Sequence, residues 1–303
     1  VSALLEAQEL RTGYGRLPVV FDIDLEVHEG EIVALLGANG AGKTTTLRAL
    51  SGMIPLQGGD IALDGHSLKG RAPEKIARSG IVHVPQGRGV FPNLRVDETL
   101  RLAAAMAGLR GNDASSRVKE MYGVFPRLDE RRTQLAGTLS GGEQQMLAIA
   151  RGLIMQPRVL LIDEMSQGLA PAIVDGLFEI VASLPEQGVA VLIVEQFVAH
   201  ALEVATRAYV LEKGEVAFSG TAAELAKDEE FVRGSYLGDA TADVEDLADL
   251  RSEETPDELL RAIEERAAAE GKEPGEVVMS LLREAMGHPA SSGNGSSNGG
   301  SAS

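Results

Sequence analysis

The sequence predicts an α/β fold, a parallel sheet covered on both faces with a helical subdomain inserted into it. Three observations lead there. The runs Glu31–Leu36, Arg158–Ile162 and Ala190–Val194 are aliphatic nearly throughout, which suits strands buried on both faces. Helical periodicity fills the stretches between them, the pattern of parallel strands joined by crossover helices. Between Gln86 and Leu139 no strand is evident, and Val96–Leu109 and Ser115–Val124 read as helices.

The first strand runs into Gly37-Ala38-Asn39-Gly40-Ala41-Gly42-Lys43-Thr44, followed by a helical stretch, Lys43–Ser51. This is G-x-x-x-x-G-K-[ST] between a strand and a helix, the phosphate-loop context. Gly37, Gly40 and Gly42 let the backbone turn so that successive N–H groups, with those of Asn39, Ala41 and Thr45, face inward as an anion nest. The positive end of the following helix points at the same place. The expected ligand is ATP with Mg²⁺. Lys43 reaches the β- and γ-phosphates, and the Thr44 hydroxyl ligands the metal.

The second strand ends in Asp163-Glu164. Two carboxylates at the end of a buried run need something to pair with. Asp163 is expected to hold Mg²⁺ through water, and Glu164 to act as general base for the attacking water. Upstream, Leu139-Ser140-Gly141-Gly142-Glu143-Gln144-Gln145 opens another helix. Ser140 and Glu143 have capping-box spacing. Ser140, Gly141 and Gly142 also present N–H donors at a helix N-terminus, suited to a γ-phosphate.

Composition narrows the setting. Of 303 residues, 44% are hydrophobic and 4% aromatic, so the core is built from Leu, Val, Ile and Ala. With no cysteine, disulfides and thiolate metal sites are excluded. A net charge of −17 argues against nucleic acid, whose binders carry a basic footprint, and no nucleic-acid partner is expected. No apolar run nears the roughly 18–20 residues that cross a bilayer, so the chain is expected to be soluble and to meet a membrane only through a partner. No charged n-region with an apolar h-region is evident.

The motif Leu139–Gln145, placed before the acidic strand end, resembles the signature of the nucleotide-binding subunits of ABC transporters. The resemblance covers about residues 4–238 and implies an ABC-type ATPase core: a P-loop NTPase with a mixed sheet and a helical subdomain at about 87–157. It also implies head-to-tail pairing with a second ATPase subunit, so that Ser140–Gly142 act on a nucleotide held by the partner. Tyr14, in Thr12-Gly13-Tyr14-Gly15, looks like the aromatic that stacks on adenine. Gln86, in Val84-Pro85-Gln86-Gly87, resembles the glutamine that touches Mg²⁺ and the attacking water and relays nucleotide state to the membrane partner. Ser166–Pro171 sits where the dimer-contact loop belongs.

Two departures from the family pattern stand out. Met165 follows Glu164 where proline is usual. Gln196 stands where the switch histidine is expected after Ala190–Val194; it can donate a hydrogen bond but cannot become cationic. His200, four residues on, reads as a surface or core histidine. Val194-Glu195-Gln196, Pro85–Arg88, Gly168–Pro171 and Ser235–Gly238 are similar to the second ATPase subunit of branched-chain amino acid importers; urea-importer ATPases look alike. This implies permease subunits as partners, a related but nonidentical ATPase, an indirect link to an extracytoplasmic solute-binding protein, and a place at the cytoplasmic face of the membrane. A soluble ABC ATPase acting on ribosomes or DNA is the other class considered. Such ribosome-acting chains usually carry two cassettes and repair-type ones a long coiled coil, neither of which is seen here.

The C-terminal part differs in kind. Residues 239–303 hold 15 acidic and 5 basic residues, so −10 of the −17 lies there and −7 in the body. An acidic helical extension is expected at 239–288. Within it lies a hairpin at about 255–287, with Thr255 as N-cap, Pro256 at the first helical position and a Gly271–Pro274 turn. It resembles the helical part of ribbon-helix-helix domains without their basic strand, and reads as a dimerisation or docking element, or as a solvated hairpin. The Gly/Ser/Asn-rich tail 289–303 is expected to be disordered.

Overall fold

The computed structural model describes residues 2–87 and 89–228. The extension, its hairpin, the tail and Ser235–Gly238 lie outside the described residues.

Two sheets organise the chain. The smaller is antiparallel and contains β1 (Leu5–Tyr14), β2 (Leu17–Val27), β4 (Leu56–Leu63) and β5 (His66–Ser67) in the order β2-β1-β4-β5. The larger contains β3 (Ile32–Leu36), β6 (Ile81–Val84), β7 (Val159–Asp163), β8 (Ala190–Val194), β9 (Arg207–Glu212) and β10 (Glu215–Thr221) in the order β10-β9-β3-β8-β7-β6. All its neighbours are parallel except β9 and β10, so the sheet is mixed. The three strands expected from the aliphatic runs are β3, β7 and β8, with bounds shifted by one residue at β3 and β7.

Every residue of β3, β7 and β8 is buried, and their alternation sorts them between two cores. Ile32, Ala34 and Leu36 of β3 face one cluster with Leu160, Ile162, Val191 and Ile193. Val33 and Leu35 face the other with Val159, Leu161, Leu192 and Val194. The first core is closed by helices and the second by the antiparallel sheet and α1 (Lys43–Leu50). Each fully buried aliphatic side chain contributes roughly 1.5–3 kcal/mol, so strands two-faced in this way anchor both layers.

Beyond α2 (Pro73–Ser79) and β6, the chain is helical, as the sequence predicts: α3 (Val96–Met106), α4 (Gly111–Val124), α5 (Pro126–Glu130) and α6 (Gly141–Ile154). Three helix bounds differ from expectation: α1 ends at Leu50 with Ser51 as its C-cap, and the other two lie in this helical stretch. Helix α3 stops early because Gly108, at φ 82°, terminates it in the left-handed region. Helix α4 begins four residues early, at Gly111; Asp113 favours the positive end and Ser115 sits inside, bonding back to the Gly111 carbonyl at 3.1 Å. The remaining helices are α7 (Pro171–Ser183), α8 (Val198–Val204) and the short α9 (Ala222–Leu225). Among the described residues no helix is long and apolar enough to cross a membrane.

Candidate functional site

Strand order places the site. In a parallel sheet every carboxyl end lies on the same edge, and ligands bind in the crevice outside those ends. Here β3, β8, β7 and β6 are consecutive neighbours, so the loops after them open side by side. Those loops carry residues 37–42, Gln196, Asp163 and Glu164, and Gln86.

The loop 37–42 turns sharply before α1. Gly37 has φ 139°, and a Cβ there would lie 2.2 Å from the Leu211 carbonyl oxygen, so only glycine fits. Ala38, Asn39 and Gly40 are exposed, whereas Ala41, Gly42, Lys43 and Thr45 are buried. Lys43 lies back over the loop, its Nζ donating to the carbonyls of Gly37 at 2.7 Å and Ala38 at 3.0 Å. The ammonium is thus held over the loop by two of its carbonyls, where it would meet phosphate oxygens.

From Thr44 the contacts cross to β7. The Thr44 hydroxyl donates to Asp163 Oδ1 at 3.1 Å. Asp163 is 1% exposed, and burial pushes its carboxyl up to about 6, with the Thr44 bond pulling the other way. A carboxylate made costly by desolvation is relieved by a cation beside it. The paired hydroxyl and carboxylate oxygens are the hard donors Mg²⁺ prefers. No cluster of three or more His, Asp or Glu able to hold a metal occurs among the described residues.

Glu164 follows with φ 48°, an unusual conformation for a side-chain-bearing residue, fixed by its N–H donating to the Val194 carbonyl at 2.9 Å. Its carboxylate accepts from Gln86 Nε2 at 2.6 Å, and the same amide donates to Gln167 Oε1 at 3.1 Å. A polar pocket of about 180 Å³ opens beside it, lined by Gly87, Gln144, Gln145 and Gln167. Gln145 is 3% exposed and its Nε2 has no protein partner. Such a pocket has room for water within reach of a base.

Gln196 reaches the phosphate loop, its Nε2 donating to Asn39 Oδ1 at 3.3 Å. Tyr14 is the last residue of β1 rather than part of a free loop; the residue is 45% exposed and its hydroxyl accepts from Arg48 Nη1 at 2.8 Å. His200 is half-buried, bonded to Asp175 Oδ1 at 3.3 Å and packed against Phe178 and Phe197, away from these contacts.

The structure therefore brings together Thr44 with Asp163, Gln86 with Glu164, and Gln196 with Asn39. Ser140, Gly141 and Gly142 take no part in those three contacts. Ser140 caps α6: its N–H donates to Glu143 Oε2 at 2.9 Å, and its Oγ accepts from the Glu143 N–H at 3.4 Å. The buried Gly142 packs on α7, where a Cβ would lie 2.6 Å from Ile173 Cγ2. Reading the sequence missed Gln167, Arg48 and Glu195, which the structure places against these residues. Glu195 had a signal of its own, since it follows an aliphatic strand directly, as Asp163 and Glu164 do.

Comparisons with known proteins give the family and the fold. The ABC transporter family profile matches residues 20–167. The high-affinity branched-chain amino acid transport ATP-binding protein BraG of Pseudomonas aeruginosa is 44% identical over 235 residues, 78% of this chain and 100% of the relative. The lipopolysaccharide export system ATP-binding protein LptB of Escherichia coli is 35% identical over 78% of this chain and 98% of its own. Among solved structures, an ATP-binding subunit of an ABC transporter superposes with a TM-score of 0.68 at 28% identity, over 77% of this chain and 98% of that one. An ATP-binding cassette in its ADP conformation shares the fold, at a TM-score of 0.68, 21% identity and coverage of 78% and 100%.

Proposed function

Because the chain belongs to the ABC transporter family of ATP-binding proteins, we propose that it is the ATPase subunit that energises an importer of branched-chain amino acids. Binding and hydrolysis of ATP follow from the family. The solute is the finer step, and one observation carries it: BraG aligns along 100% of its length at 44% identity, against 35% for LptB.

The residues divide the work as follows. The N–H groups of 37–45 cradle the phosphates, and Lys43 exchanges the Gly37 and Ala38 carbonyls for β- and γ-phosphate oxygens. Thr44 and Asp163 hold Mg²⁺, with Gln86 as a further oxygen donor; bound there, the metal offsets the charge of the phosphates. Glu164 takes the proton of the attacking water, and Gln86 fixes the orientation of its carboxylate. Gln196 donates to the γ-phosphate from the Asn39 side. The exposed face of Tyr14 stacks on adenine, its ring steadied by Arg48.

Ser140, Gly141 and Gly142, at the positive end of the 14-residue α6, act on a nucleotide held by a second, related ATPase subunit. The permease partner has a plausible seat too. An apolar groove of about 460 Å³ runs between β6, α2, α3 and α6, and Pro85 and Gly89 flank Gln86 at its edge. Met53, Phe91 and Met106 on its rim are 57%, 43% and 60% exposed, an apolar surface that a docked segment would cover. The subunit then sits at the cytoplasmic face of the membrane, linked to a solute-binding protein only through the permeases.

The test is to purify the native complex and identify its subunits, then measure ATPase activity in proteoliposomes as solute-binding protein loaded with leucine, isoleucine or valine is added. Stimulation by these loaded forms is expected. Co-purification with a lipopolysaccharide-export permease, or stimulation by urea and not by branched-chain amino acids, refutes the assignment.

A further inference from the structure

We propose that Glu195 is a positioning residue: its buried carboxylate staples the loop that follows Glu164 to the loop that carries Gln196, holding the two hydrolytic side chains in one fixed relation. The inference rests on the ATPase reading of the site.

Strands β7 and β8 are register partners, with Asp163 opposite Val194. The next residues, Glu164 and Glu195, therefore leave the sheet side by side. Glu164 turns outward to Gln86, whereas Glu195 turns inward and is 1% exposed. Three donors converge on it. Its Oε1 accepts from the Ser166 N–H at 3.2 Å, and its Oε2 accepts from the Gln196 N–H at 3.2 Å and, in a short bond, from the Ser166 hydroxyl. Ser166 is itself 1% exposed, two residues past Glu164.

A carboxylate is the group that accepts all three donors at once; protonation turns one oxygen into a donor. Burying it is costly, so a purely structural link between these loops would be served as well by a neutral pair. What the charge adds is rigidity where two loops must keep a common geometry. Glu164 is already held at φ 48°, and Gln196 must point its amide toward the phosphate loop. Displacements of about 1 Å at such positions cost up to about 100-fold in rate.

Protonation offers an independent handle. Burial raises the Glu195 carboxyl to about 7; Glu164, the charged neighbour acting on it, pushes the same way, and the bonds from Ser166 and Gln196 oppose them. The three-acceptor form is thus the one present above neutrality, and the weaker staple appears below it.

The experiment compares Glu195→Gln, Glu195→Ala and Ser166→Ala with wild type and Glu164→Gln, all as the full chain assembled with its permeases. ATP affinity is expected to stay within about 3-fold while kcat falls by about 10- to 100-fold in Glu195→Ala and less in Glu195→Gln and Ser166→Ala. The wild-type kcat should fall as pH drops through about 7, and Glu195→Gln should lack that inflection. Should Glu195→Ala fail to fold, the Gln variant and its pH profile decide. A folded Glu195 variant with kcat within about 2-fold of wild type, or an inflection that stays near pH 7 in Glu195→Gln, overturns the proposal. Those results alongside a Glu164→Gln enzyme that has lost turnover leave the ATPase assignment standing. Turnover that survives Glu164→Gln refutes the site reading itself.

Discussion

Replacing Glu195 with glutamine should make the protein more stable at alkaline pH while making it slower. The carboxyl is raised from its ordinary value near 4.5 to about 7 in the folded chain. A group whose folded pKa is raised binds more protons folded than unfolded, so its contribution is full below pH 4.5 and is lost as pH rises through 7. The interval of about 2.5 units corresponds to about 3 kcal/mol of stability forfeited above neutrality. Glutamine resembles the protonated acid in shape, in being uncharged and in setting an acceptor oxygen beside a donor group, so it avoids that loss. Urea unfolding followed by far-UV circular dichroism suits a chain with no tryptophan. Asp163, which shifts in the same direction, is present in both proteins and cancels in the difference. The stability of Glu195→Gln relative to wild type should therefore grow by about 2–3 kcal/mol between about pH 5 and 8.5. A difference that does not change with pH would refute the reasoning, since it would mean the carboxyl titrates alike in the folded and unfolded chain.

Glu164→Gln should lower single-turnover hydrolysis by about 100- to 1000-fold with ATP affinity changed by less than about 3-fold, measured by quench flow and nucleotide titration. Gly37→Ala should destabilise the chain by more than about 2 kcal/mol in denaturant unfolding, because neither φ 139° nor a Cβ 2.2 Å from the Leu211 carbonyl can be accommodated without moving backbone. Gln196→His should raise steady-state turnover, since an imidazole keeps the reach toward Asn39 and can also become cationic; unchanged turnover would place position 196 off the γ-phosphate.

What the sequence disclosed follows from how local each signal is. The loop 37–44 is a contiguous motif whose strand and helix adjoin it, and β3, β7 and β8 are buried on both faces, so their aliphatic runs need no partner to be read. The antiparallel sheet was illegible as individual strands because its alternation is broken. Register shifts interrupt β1 between Ala7 and Leu10, and Glu9 and Asp22 sit at φ 45° and 48°. Convergence of the four loops was implied only by family resemblance, since the order β3-β8-β7-β6 joins strands up to about 150 residues apart.

The pair Glu164 and Glu195 marks where local reading stops. Each follows an aliphatic strand, yet the sequence assigns a role to Glu164 alone. Only the register of Asp163 on Val194 makes them neighbours, and neighbouring carboxylates cannot share one environment without opposing each other's ionisation. The fold resolves this by division: one carboxylate is turned toward Gln86 and a polar pocket, and the other is buried under three donors. That division gives one acid freedom to exchange a proton with solvent and gives the other a fixed place. Two carboxylates with environments pushed apart is the arrangement from which different roles at one site arise. It also sets stability against function at Glu195, because the ionised form that binds all three donors is the one that burial penalises.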